Sequence, residues 1–207
     1  MAGRPPGGIE DAVERCPWGV GPEEYRRYHD DEWGRPVTAD RAIYEKLCLE
    51  GFQSGLSWLT ILRKREGFRR AFAGFEPFAV AAFGDEDVAR LVADPSIVRH
   101  RGKIEAAVAN ARAALAVREQ EGSLAALVWR FEPPAGPPPL TMDDLPASTA
   151  ASTALARELR RRGFRFVGPT TAYAAMQALG LVNDHLAGCG VRAAVEAERA
   201  ALSRPVV

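Results

Sequence analysis

The chain has 207 residues, 47% of them hydrophobic, which is enough to bury a core as one domain or two small ones without staples. Its 27 basic and 27 acidic residues cancel, so a nucleic-acid surface has to come from local clusters and not from an overall basic field. Three cysteines, an odd number, argue against a disulfide framework and for a reducing compartment or a metal site; no apolar run reaches membrane-spanning length, and MAGRPPGGIEDAVER lacks the apolar centre of a signal peptide, so the expectation is a soluble cytoplasmic protein.

Residues 1–13 are rich in Gly and Pro and read as a disordered extension, with structure beginning near Cys16. The segment that follows places Trp18, Tyr25, Tyr28 and Trp33 in a short region with too few aliphatic residues for a core of its own. Aromatic side chains concentrated in this way pack on a neighbour or line a pocket.

The stretch from Asp40 to Arg65 reads as two helices meeting at residues 50–55. Ile43, Leu47 and Glu50 recur at i, i+4 and i+7, which puts the Glu50 carboxylate on the apolar stripe. An unpaired carboxylate there costs roughly several kcal/mol, so it calls for a neutralising partner, a shifted pKa or a ligand. One reading is a Glu–Arg pair inside an ordinary helical core. The other is a ligand site, because Trp58 brings a large flat ring near the carboxylate, a combination that suits a flat polar or cationic ligand. Cys48 has no companion and is assigned to packing.

Residues 69–83 give short amphipathic pieces broken at Gly74 and Pro77, followed by helices over 85–93 and 97–118. The second carries Ile104, Val108, Ala111 and Leu115 on one face, while Arg99, His100, Arg101 and Lys103 crowd its first turns, either as a phosphate contact or as a solvated basic face. EPPAGPPP at 132–139 reads as a stiff surface loop. Ser152 is placed to cap a helix that Gly163 ends, and GFRFVGPTTAYAAMQALG then makes a tight connection into a second helix, with Pro169 in its first turn and Gly180 at its end. Such a turn presents free backbone N–H groups beside Arg165, which makes it either a phosphate site or a plain helix connection. One more short surface helix is expected after residue 190, and almost nothing alternates as a strand would.

Metal-ligand spacing links the two ends of the chain. Cys16 and His29 are separated by twelve residues, and His185 and Cys189 by three, so that the second pair can reach one ion from a single turn. Two Cys and two His fill a tetrahedral zinc ion, which makes the expected metal structural.

CPW, YHDDEWG, LCLEGFQSGLSW with TILRKRE, IVRHRGKI, RGFRFVGPTTAY and GLVNDH occur in an order that resembles the DNA-3-methyladenine glycosylase I family, bacterial base-excision repair enzymes of the helix-hairpin-helix glycosylase superfamily. The resemblance covers about residues 14–190, taken as one glycosylase domain, with 191–207 as a C-terminal extension. It implies an all-α fold, a hairpin that grips the DNA backbone, and one structural zinc at Cys16, His29, His185 and Cys189. It implies a base pocket with the catalytic carboxylate at Glu50, a stacking ring at Trp58, a hydrogen-bonding hydroxyl at Tyr28 and walls at Trp18, Tyr25 and Trp33. DNA contacts are implied at Gly55 and Leu56, which would enter the gap left by an extruded nucleotide, and at Arg165, Phe166, Gly168 and Thr170 of the hairpin. Asn183 takes the place at which other members of the superfamily carry an aspartate, so no carboxylate general base is assigned. The implied activity is hydrolytic release of N3-methylated adenine from double-stranded DNA by a monomer. Two classes compete: a module that binds alkylated DNA without cutting it, which base release separates, and an unrelated zinc hydrolase, disfavoured because four protein ligands close the metal.

Overall fold

In the computed structural model, which describes residues 14–206, every regular element is helical. The N-terminal extension and the disorder expected of it lie outside the described residues. The α-helices are α1 (Glu23–Asp31), α2 (Asp40–Gln53), α3 (Trp58–Ala71), α4 (Pro77–Ala81), α5 (Asp85–Ala93), α6 (Arg101–Glu121), α7 (Leu124–Trp129), α8 (Ala150–Arg161), α9 (Pro169–Ala178) and α10 (Arg192–Ala201). Single 3-10 turns at Pro17–Val20, Ala73–Phe75 and Met142–Asp144 join them.

Helix α2 is the centre. Ile43, Tyr44, Leu47, Cys48, Leu49 and Phe52 are all buried, and the helix packs against α3, α6, α7 and α9. Full burial of each large apolar side chain is worth about 1.5–3 kcal/mol, so a helix buried almost all round is fixed by its neighbours more than by its own propensity. Tyr44 donates its hydroxyl proton to the Ala107 carbonyl at 2.9 Å, which ties α2 to α6. Phe52, Phe68 and Phe72 pack with ring centroids 4.5–6.3 Å apart and close the α2–α3 angle.

Several local expectations are corrected. Thr149 caps α8 in place of Ser152: Ser152 N donates to Thr149 Oγ1 and Thr149 N donates to Ser152 Oγ, so the two residues satisfy both orphan donors reciprocally. The helix expected from residue 97 begins at Arg101, because His100 stays extended and its Nδ1 accepts the Lys103 backbone N–H as an N-cap. Lys103 is neither a phosphate contact nor part of a solvated face. It is buried, and its ammonium donates to the carbonyls of Phe52 at 2.9 Å and Ser54 at 2.5 Å, where α2 ends. A cation on the last carbonyls of a helix meets the negative end of the dipole, and here it also fixes the turn that leads to α3.

Helix α10 docks on the body. Val195 is fully buried beside Cys16, Cys189 and Val191. Arg199, 7% exposed, donates to the Gly180 and Leu181 carbonyls and pairs with Glu132, which also holds Arg204.

Candidate functional site

A cavity of about 360 Å³ opens where α1, α2, α3 and α9 converge. Glu50, from the last turn of α2, lines it and is 6% exposed, yet its carboxylate makes no hydrogen bond or ion pair among the described residues. The arginine partner offered by the ordinary-core reading is therefore not there. Burial pushes the Glu50 carboxyl up to about 7, against the opposing pull of the nearby Lys46 ammonium.

All five expected aromatic residues, Trp18, Tyr25, Tyr28, Trp33 and Trp58, line this cavity with Glu50. Trp58 is the first residue of α3, whose start is fixed by the Ser57 side chain accepting from Thr60 N and by the Tyr25 hydroxyl accepting from Leu59 N. Trp18 stands edge-on to Trp33 at 4.9 Å and to Tyr25 at 6.1 Å, and Tyr28 meets Trp58 at 5.3 Å. The Trp58 indole N–H is the one side-chain polar atom among the described residues that is sealed completely from solvent and has no hydrogen-bond partner. Burial and the Glu50 charge hold the Tyr28 hydroxyl well above its ordinary pKa, so it stays a proton donor.

Sequence reasoning missed part of the lining. Gln53 sits one turn beyond Glu50, and Gln177 of α9 enters with its amide held by Asp184 at 2.7 Å. Met142 and Leu145 cover another side from a segment with no periodicity to mark it. Asn183 lies elsewhere: its amide donates to Glu196 and to the Arg192 carbonyl, facing α10 and not the cavity.

The expected DNA-contacting residues form two exposed edges near the cavity. Gly55, at φ +79, turns the chain between α2 and α3, a conformation that favours glycine, and leaves Leu56 41% exposed beside it. The second edge is the α8–α9 connection. Phe166 takes φ +55 and is 43% exposed, and a side chain built at Gly168 would meet nothing within 4 Å, so the backbone at the start of α9 is open to close approach. Asn110 of α6 clamps this turn, accepting from Arg165 N at 2.7 Å and donating to Arg165 O at 3.2 Å. Thus α6 holds both edges, one through Lys103 and one through Asn110 two turns later. Most nearby cations are already paired, Arg63 with Glu24, Arg65 with Glu32, and Arg161 and Arg162 with Glu158. The Arg165 side chain makes no such contact among the described residues.

Cys16, His29, His185 and Cys189 converge as the spacing predicts. Their ligand atoms all lie within 4.8 Å of one another, and all four residues are buried. His29 Nε2 is 3.2 Å from His185 Nδ1, Cys189 Sγ is 3.5 Å from both, and Cys16 Sγ is 3.8 Å from His185 Nδ1. A tetrahedral ion with bonds of about 2.0–2.3 Å sets its ligand atoms roughly 3.3–3.8 Å apart, so the set fits a metal. The outward ring nitrogens are anchored, His29 Nδ1 on Asp30 at 2.7 Å and His185 Nε2 on the Trp33 carbonyl at 3.0 Å, which fixes both tautomers for ligation. Arg15 in turn holds Asp30.

The buried Glu50 charge has a consequence for stability. Below an ordinary value of 4.5 the folded and unfolded chains both hold the proton; between 4.5 and about 7 only the folded chain does, so stability falls as pH rises through that window. Above it the ionised carboxylate costs the fold about 3 kcal/mol. Glu50→Gln should therefore raise the urea-unfolding free energy at pH 8 by about 1–2 kcal/mol, after the cost of a buried amide, with the gain shrinking towards pH 5. No gain at pH 8 would mean that the wild-type carboxylate is solvated or paired.

A model of the methyladenine glycosylase family matches residues 18–193. DNA-3-methyladenine glycosylase 1 of Escherichia coli (strain K12) is 49% identical over 179 residues, spanning 86% of this chain and 96% of the relative. The solved structure of 3-methyladenine DNA glycosylase I from Staphylococcus aureus is 36% identical and superposes with a TM-score of 0.83 over 87% of this chain and 97% of that one. A single-substitution variant of 3-methyladenine DNA glycosylase I, solved in complex with 3-methyladenine, is 35% identical, with a TM-score of 0.83 over 86% and 97% of the two chains. With most of its length matched in sequence and in fold, this chain belongs to the methyladenine glycosylase family.

Proposed function

We propose that this protein is a monofunctional DNA N-glycosylase that extrudes N3-methylated adenine from the duplex and hydrolyses its glycosidic bond. The observation that carries the reading is the Glu50 carboxylate, buried without a partner in a cavity walled by aromatic rings. A base methylated at N3 is flat and cationic, and it complements both features: the ring faces attract the charge, and Glu50 neutralises it while accepting from the exocyclic amine. Unmodified adenine offers no charge. Its stronger glycosidic bond also makes it a poor substrate even when it enters.

Extrusion costs a few kcal/mol of stacking and pairing, which the pocket offsets. In this reading Leu56 fills the gap, while the open backbone around Gly168 and Thr170, with Arg165 and Phe166, holds the phosphates. Cleavage breaks the bond between the sugar C1′ and the base nitrogen. The electron pair goes to the base and cancels its charge, water adds to C1′, and its proton passes to solvent. The leaving group is already good, so the residues of this chain act by binding, orienting and charge complementarity, and Tyr28 donates to the bound base. Supporting the reading are the names of the relatives and the 3-methyladenine bound in one of them.

Zinc is the metal that the Cys16, His29, His185 and Cys189 set suits best. Four protein ligands complete its tetrahedron, so its contribution is to hold the N-terminal segment against the C-terminal one. We further propose a monomer acting in the cytoplasm on double-stranded DNA. No helix among the described residues is long and apolar enough to cross a membrane.

Chromatography of the bases freed from alkylated DNA tests the activity. Release of 3-methyladenine is expected, falling by ~100-fold or more in Glu50→Gln and in Trp58→Ala. No release by folded protein would favour the binding module instead. For the metal, the protein as purified should contain one zinc, and stripping it with a chelator should lower the thermal midpoint by roughly 10 °C or more. An unchanged midpoint after complete removal would contradict a structural role.

A further inference from the structure

Lys46 lies one helical turn before Glu50 on α2, and its position is unusual for a lysine. Its side chain is 13% exposed and is held on two sides. The ammonium sits 4.6 Å from the centroid of the Tyr28 ring, on a residue that lines the cavity, and 3.5 Å from Glu32 Oε2. Arg65 of α3 takes the same Glu32 oxygen at 2.7 Å, so Lys46 shares its anion with a stronger partner. One carboxylate between two cations leaves positive charge over, and Glu50 is the remaining anion of the group. Residues four apart on a helix are neighbours, about 5–6 Å between their Cβ atoms.

We propose that Lys46 is a positioning residue for the excision reaction: fixed between the Tyr28 ring and Glu32, it holds the Glu50 carboxylate in its ionised form, so that the pocket meets a cationic base with a negative charge. This rests on the glycosylase reading above. The other buried cation at this end of α2, Lys103 of α6, spends its ammonium on the Phe52 and Ser54 carbonyls. From α1 and the turn after it come Tyr28, which stays protonated, and Glu32, an anion; from α3 come Trp58 and, behind Glu32, Arg65; from α9 comes the neutral Gln177, backed by Asp184; and the segment after the proline loop contributes Met142 and Leu145. Among the described residues, Lys46 is the cation whose charge opposes the effect of burial on Glu50.

The geometry also explains why Lys46 does not quench the carboxylate it serves. Glu32 and the Tyr28 ring hold the ammonium back, and no ion pair or hydrogen bond joins it to Glu50. The carboxylate therefore stays open to a ligand while the field of a cation one turn away favours its charge.

The test is the pH profile of base release from one methylated duplex under single-turnover conditions, for wild type, Lys46→Met and Lys46→Arg, over about pH 5.5–9. Loss of the ammonium should move the acidic limb up by roughly one pH unit, a loss of up to ~10-fold on the acid side that narrows as pH rises. The arginine variant keeps the charge and should keep the wild-type limb. A uniform loss at every pH, or a Lys46→Met profile that superimposes on wild type, would overturn the proposal, since a packing role moves rate without moving the limb. If Lys46→Met does not fold, Lys46→Gln deletes the same charge and carries the same test. A wild type that releases no base overturns the glycosylase reading and this inference with it, whereas a wild type that releases base with an unmoved limb in the variants overturns this inference alone.

Discussion

An ionisable carboxylate kept in an apolar cavity without a partner is the constraint on which the rest of this structure depends. Burial alone would be met by protonation, and an arginine alone would fill the site permanently. The fold avoids both outcomes. Glu50 sits in the last turn of a helix buried almost all round, Tyr28 and Trp58 line the cavity with it, and the Lys46 ammonium is held by Glu32. The cost is carried by the surrounding core, and the charge is left for a ligand to satisfy. This is a common arrangement at functional sites, where local stability is traded for complementarity.

The aromatic wall is coupled to the Cys/His cluster through adjacent residues. Tyr28 faces the cavity and His29 faces the cluster from the same turn of α1, while Trp33 lines the cavity and offers its carbonyl to His185. Trp18 follows Cys16 closely and packs on His29 at 5.0 Å. Short elements with few aliphatic residues cannot hold such rings by burial alone, so the Cys and His pairs complete the positioning. Helix α10 adds to this from behind, with Val195 packed on the cluster and Arg199 bonded to the end of the hairpin helix.

Much of this was legible in the chain, and the reasons are physical. The i, i+4, i+7 placement of Glu50 gave away its burial, and the His185–Cys189 spacing gave away half a tetrahedron. The long motifs around Glu50 and the hairpin carried the family. Contacts that depend on the tertiary path were not legible. Lys103 reads as one of four basic residues at a helix start, yet the approach of α6 to the end of α2 turns it into a buried cap. Asn110 lies within an alanine-rich helix with nothing to mark it as the clamp on Arg165. Lys46 looks like a solvent-facing residue until Glu32 and Tyr28 are brought to it by α1. The segment carrying Met142 and Leu145 has no periodicity at all, so nothing in it marks its place over the cavity.

In the proposed function charge, and not shape alone, selects the base. The most direct measurement is calorimetric binding of two isosteric small molecules, the permanent cation 3,9-dimethyladeninium and its neutral 3-deaza counterpart. The cation should bind wild type ~10-fold or more tightly than the neutral analogue, and Glu50→Gln should remove most of the preference. Equal affinities in wild type would contradict recognition of charge by this pocket.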